Sequence, residues 1–274
     1  MDRIIARQET PIMDDVSRRG FLRAVPAAAF ITTAIPSGVV ATSESGAPEA
    51  FPRQDPAVAR EIVGVSHGNV ARVKELVSGT PALARASWDW GFGDWETALG
   101  AASHVGNKEI AAVLLAAGAH PTIFSAAMLG QLDAVKAFVA ASPGIQKTRG
   151  PHGIPLLDHA KAGESVEVVK YLESLGDAGL RYPNEPMSDE DVAGLLGTYA
   201  YGTGATERLI VSRNNRGILV MKREGEPERN LFHHGTRVFN PAGAEAVRIQ
   251  FEPPTGRATT LSVVDGPLRV DAKR

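Results

Sequence analysis

Thr97-Ala98-Leu99-Gly100-Ala101-Ala102-Ser103-His104-Val105-Gly106 is an alanine-rich segment closed by glycine. A second apolar stretch, Ile110, Val113, Leu114 and Leu115, follows it and ends at Gly118-Ala119. In both parts the apolar residues recur at helical spacing, so the unit reads as two short helices joined by a sharp turn. Glycine suits that turn because a side chain there would clash or demand a costly left-handed conformation. The pattern recurs: Gly130 precedes Val135, Phe138 and Val139; Gly163 precedes Val168, Val169, Tyr171 and Leu172, with one extra residue intervening; Gly68 precedes Val70, Val73, Leu76 and Val77. Each unit is too small to bury its own apolar stripe, so neighbours are expected to stack into a continuous core. Asp55-Pro56 offers a capping oxygen before a proline whose missing N–H costs nothing at a first helical position, which opens the array near residue 56.

Thr97 to Ala102 resembles the ankyrin signature Thr-Pro-Leu-His-x-Ala, with Ala98 for proline and Gly100 for histidine, and Pro155-Leu156 matches it again with Gly163 in register. The resemblance implies an ankyrin-repeat α-solenoid of about four helix pairs over residues 56–180 that works by binding another molecule. The step from Gly68 to Gly106 is too long for one unit, and the surplus falls in Trp88-Asp89-Trp90-Gly91-Phe92-Gly93-Asp94-Trp95, which carries all three tryptophans of the chain. Trp88, Trp90, Phe92, Asp94 and Trp95 are therefore the candidate partner-binding residues, since tryptophan anchors supply large buried area at interfaces. Folding of the same rings onto the end of the helical stack is the alternative of equal weight.

Past a proline-bearing linker at 181–190 the period changes. Ser188 followed by Asp189, Glu190 and Asp191 reads as an N-cap with acids that favour the helix dipole, and these acids are expected to be a solvated cap rather than an acid–base pair. Leu209 to Val211, Ile218 to Met221, Asn230 to Phe232, Val247 to Phe251 and Thr260 to Val264 then alternate with Asn, Gly and Pro turns, as antiparallel strands do. Val192 to Leu196 followed by Gly197-Thr198-Tyr199 resembles the lipocalin-like domain associated with serine beta-lactamase-like hydrolases. That resemblance implies a small β-barrel-like domain over 191–274. The expected fold class is α+β.

At the other end, Ser17-Arg18-Arg19-Gly20-Phe21-Leu22-Arg23 ahead of a moderately apolar stretch resembles a twin-arginine export signal. It implies a signal peptide over 1–41, a flexible linker over 42–55, and a periplasmic or secreted mature protein without a stable membrane span. The absence of cysteine removes disulfides and thiol chemistry, and a formal net charge of -2 gives no basic field for nucleic acid.

The search for chemistry returns little. Gly64-Val65-Ser66-His67-Gly68 matches a hydrolase nucleophile elbow in letters, but that motif needs a strand before the turn. Ser103-His104-Val105-Gly106 repeats the Ser-His pair in the next unit, which makes it a feature of the array. His233 and His234 are adjacent on a strand and point to opposite faces. His152 and His159 flank a helix start with no evident carboxylate partner, and His120 follows Gly118-Ala119 as a structural residue. No catalytic residue, metal site or cofactor is expected. The expected function is an exported, monomeric binding protein for an unidentified envelope protein or peptide, with a small-molecule-binding or enzyme-accessory role for the β domain as the alternative.

Overall fold

Asp55 opens the first helix as its chemistry requires, its carboxylate accepting from the Ala57 N–H at 2.8 Å. The computed structural model describes residues 54–274. The export-signal residues Arg18 and Arg19, the 1–41 segment and nearly all of the 42–55 linker lie outside the described residues. Eight helices follow in adjacent pairs: α1 (Pro56–Val65) with α2 (Val70–Gly79), α3 (Ala98–His104) with α4 (Lys108–Ala116), α5 (Ile123–Met128) with α6 (Leu132–Ala141), and α7 (Leu156–Ala162) with α8 (Val166–Ser174). Asn69, Thr97, Asn107 and Thr122 cap the starts of α2, α3, α4 and α5 with side-chain oxygens, which satisfies backbone donors that no helical carbonyl reaches. Gly106 and Gly130 are left-handed, both at φ 76. Gly163 is not: the extra residue moves the left-handed position to Glu164, at φ 52. Between the first two pairs, the short hairpin β1 (Ser87–Asp89) and β2 (Trp95–Thr97) pairs Trp88 with Glu96.

The C-terminal part begins with α9 (Asp189–Leu195), capped by Ser188. Eight strands follow: β3 (Gly197–Ala200), β4 (Arg208–Arg213), β5 (Leu219–Arg223), β6 (Arg229–His233), β7 (Val238–Pro241), β8 (Arg248–Glu252), β9 (Thr260–Asp265) and β10 (Leu268–Lys273). All pair antiparallel, and β10 returns to β3 through Lys273 and Ala200, so the barrel is closed. Closure removes both sheet edges. Tyr199, Phe239, Phe251 and Met221 fill the interior, while Val192 and Leu195 of α9 pack into the same core. Among the described residues no helix is long and apolar enough to cross a membrane.

The expected ankyrin solenoid is corrected here. The molecule is an α+β fold organised around a closed eight-stranded barrel, and its helices do not share the continuous apolar core that a stacked array requires. They bury two separate clusters, one around Ile62, Leu99, Ile110 and Leu114, the other around Val135, Leu156, Val168 and Leu172. The division falls within α5, whose Met128 joins the first cluster and whose Ile123, Ala126 and Ala127 join the second. The hairpin wedged ahead of α3 sends side chains to both the helices and the barrel, so the helical part is completed by the barrel rather than by another copy of itself.

Candidate metal centre

Four side chains from four different segments converge on one point: His67 from the turn after α1, Glu96 from β2, His104 from the last residue of α3, and His152 from a single helical turn over Pro151–Gly153. Local sequence explains each placement. Ser66 and Ser103 donate their hydroxyls to Ile62 and Leu99 carbonyls one turn back, at 2.6 Å each, and so seat the following histidines alike at the ends of neighbouring helices. Ser66 is therefore a buried structural hydroxyl, not an exposed nucleophile. Alternation along β2 turns Glu96 inward and Trp95, 63% exposed, outward, and Asp94, just ahead of the strand, is buried like Glu96.

His104 Nε2 lies 3.0 Å from Glu96 Oε1 and 3.1 Å from His67 Nε2; His152 Nε2 lies 3.4 Å from Glu96 Oε1, and His67 Nε2 3.6 Å from Glu96 Oε2. A zinc ion with bonds of about 2.0–2.1 Å in tetrahedral geometry places its ligand atoms about 3.3–3.4 Å apart, the scale of these separations. The protonation pattern points the same way. His67 Nδ1–H donates to the Gly64 carbonyl at 2.9 Å, and His152 Nδ1–H donates to Asp94 Oδ2 at 2.7 Å. Both rings therefore present bare Nε2 lone pairs toward the Glu96 carboxylate when neutral. With both rings neutral, three acceptors face one another with at most one N–H, that of His104, among them. Such a centre calls for a cation.

The surrounding shell is built to match. The Trp90 indole N–H donates to Glu96 Oε2 at 2.7 Å and leaves Oε1 to the centre. Asp94 holds His152 twice, accepting from its backbone N–H at 2.8 Å on Oδ1 and from its ring on Oδ2. His152 is left-handed at φ 59, a conformation that costs a non-glycine residue about 1–3 kcal/mol and persists where its surroundings enforce it. Arg229 of β6 donates to Asp94 Oδ2 at 2.6 Å and to the Trp90 carbonyl at 2.7 Å. This pair is buried, with side chains 2% and 7% exposed. Gly243 makes room for it: at φ 81, a Cβ there would stand 2.2 Å from Asp94 Oδ1.

Burial by itself would raise the Glu96 carboxyl, but hydrogen bonds from His104 and His152 outweigh it and bring it down to about 2, so the carboxylate stays ionised. Burial likewise opposes charge on His152, yet Asp94 and Glu96 prevail and lift it to about 9. In the metal-free chain a proton on this ring supplies the missing cation. Burial and then His104 push the neighbouring His159 down to about 3; it is neutral and lies outside the ligand set.

Glu96 is fully enclosed, whereas the side chains of His67 and His152 are 33% and 25% exposed. Their open edge faces a cleft of about 540 Å³ between helices and barrel, in the size range of small-molecule sites. The five aromatic-loop candidates disperse. Trp88 and Trp90 pack on the helical core, Phe92 packs on the barrel core, Asp94 joins the two walls, and only Trp95 of these residues is turned to solvent. His152, expected to lack a carboxylate partner, has two, Asp94 and Glu96. His233 and His234 bond elsewhere, to Glu185 and Asn240. Glu96 is not a candidate on sequence grounds; its position two residues after Asp94, in the short strand that follows it, is the available signal.

No family model matches the chain, and no curated protein matches it. Among solved structures it is similar to one described as the crystal structure of SurE, at 25% identity, with a TM-score of 0.24. The match covers 42% of this chain and spans 27% of that one, and at such a score it carries no argument about fold or activity. Neither the ankyrin nor the lipocalin-like resemblance is upheld by these comparisons.

Proposed function

We propose that this chain is a metal-binding protein that holds one zinc-type divalent cation on His67, Glu96, His104 and His152 at the floor of the helix–barrel cleft. The convergence of three imidazole nitrogens and one enclosed carboxylate oxygen from four segments, all within 4.8 Å of one another, carries the reading. Three imidazoles and one carboxylate at tetrahedral spacing suit zinc better than calcium or magnesium, which take oxygen ligands in larger shells. When bound, the ion would supply a fixed positive charge at the cleft floor. The chain's own residues orient the ligands: Trp90 fixes the carboxylate, Asp94 fixes His152, and Gly64 fixes His67. Binding of a partner protein belongs to this proposal only at Trp95, the exposed member of the aromatic loop.

The test is zinc titration of the purified full chain followed calorimetrically, with metal content measured after dialysis. One zinc per chain is expected, with affinity lost in His104→Ala and in His152→Ala. Equal zinc uptake by the parent and both variants would overturn the reading.

A further inference from the structure

We infer that the cleft above the metal centre receives a small organic anion, its carboxylate or phosphate head on the Arg216 guanidinium beside the positively charged centre and its apolar body against the aromatic walls. This rests on the metal reading and adds the ligand class. The exposed edges of His67 and His152 both line the cleft while Glu96 is enclosed, so a ligand there lies against the imidazoles that hold the ion.

The charges around the opening select the sign. Arg181 and Arg216 stand among the lining residues with Arg229, and Glu228 is the single acid of the lining. Arg229 is spent on Asp94, and Arg181 is paired with Asp158. Arg216, in the turn between β4 and β5, has no ion pair among the described residues. A cationic ligand would meet the metal and these guanidinium groups together, whereas an anionic head would satisfy both, since planar guanidinium forks match carboxylate and phosphate geometry.

The rest of the cleft is shaped for something larger than a bare ion. Trp90 lines the cleft from the helical part, and Phe232 of β6 lines it from the barrel with Tyr182 packed against its ring at a centroid distance of 4.6 Å. Arg149 covers Tyr182 at 4.3 Å and stiffens that wall. Aromatic surfaces beside a cationic floor fit a ligand with a flat apolar body and one acidic end.

The experiment uses the zinc-loaded full chain and four probes: phenyl phosphate, benzoate, inorganic phosphate and benzamidine, a cation of benzoate's shape. Binding is read by calorimetry and tryptophan fluorescence. Phenyl phosphate or benzoate is expected to bind about tenfold more tightly to the zinc form than to the metal-free form, and Arg216→Ala is expected to weaken it about tenfold with zinc stoichiometry unchanged. Whichever of the two binds more tightly identifies the head, and tighter binding than inorganic phosphate identifies the aromatic contribution. Stoichiometric zinc uptake with no anion binding, or with benzamidine binding equally well, overturns this inference alone. Absence of zinc uptake overturns the metal reading and this inference together.

Discussion

The two walls of the cleft divide the work unequally. The helical wall and its hairpin supply all four candidate ligands, whereas the barrel wall supplies none of them; it contributes Arg229, which grips Asp94, and Gly243, whose missing side chain leaves space for that carboxylate. The difference teaches that coordination and orientation are separable here. One wall provides the donor atoms, and the other fixes the residue that aims one of those donors. A change on the barrel should therefore alter the centre without touching a ligand, and the comparison can be broken from either side.

The largest effect is expected from Arg229→Met. Removing the guanidinium leaves Asp94 buried and uncompensated, and breaking a buried pair by deleting one partner costs about 3–5 kcal/mol. For a chain of this size that corresponds to a fall of about 10 °C or more in melting temperature, and zinc affinity should fall with it because Asp94 no longer holds His152 firmly. An unchanged melting curve would mean that the pair does not join the walls. Trp90→Phe is a smaller and more selective change. It removes the indole N–H from Glu96 while keeping the ring on the helical core, so zinc affinity should drop about tenfold with a stability loss of about 1–2 kcal/mol. Calorimetric titration of that variant with an unaltered zinc constant would show that Glu96 needs no outer support. The smallest effect is expected from Trp95→Ala: an exposed residue between two inward ones should change stability by less than about 0.5 kcal/mol and zinc binding not at all. A large loss of stability there would show that the ring packs against something, and would remove it as a partner-binding surface.

How legible the molecule was in its sequence follows the range of the interactions involved. Individual helices could be read because their determinants are local: Thr97 and Asn107 cap with their own side chains, and Ile110 and Leu114 mark a buried face one turn apart. The strands announced themselves by alternation, as in Ile249 and Phe251, inward between exposed Arg248, Gln250 and Glu252. Assembly was another matter. Closure depends on β10 meeting β3 across more than seventy residues of chain, and nothing in either strand records the other. The division of the helical residues into two clusters was hidden for the same reason, because similar local patterns suggested one continuous stack. For the site, the matching Ser66-His67 and Ser103-His104 pairs are visible in the sequence, where they read as a recurring feature of the array. That recurrence is what stands the two imidazoles side by side. His152 gave no warning, since its partner Asp94 lies 58 residues away and its left-handed backbone cannot be inferred from Pro151-His152-Gly153.

The hairpin around β2 distributes its residues by parity. Asp94 and Glu96 go to the centre, Trp95 goes to the solvent, and Trp88 on the partner strand pairs opposite Glu96. Inserting or deleting one residue between Asp94 and the Thr97 cap would leave the composition of the loop almost untouched and the α3 start intact. It would nevertheless exchange the two faces of the strand, carrying a carboxylate outward and an indole inward. The centre therefore tolerates drift in the loop's length only in steps of two, so this short strand works as a frame check on the whole site.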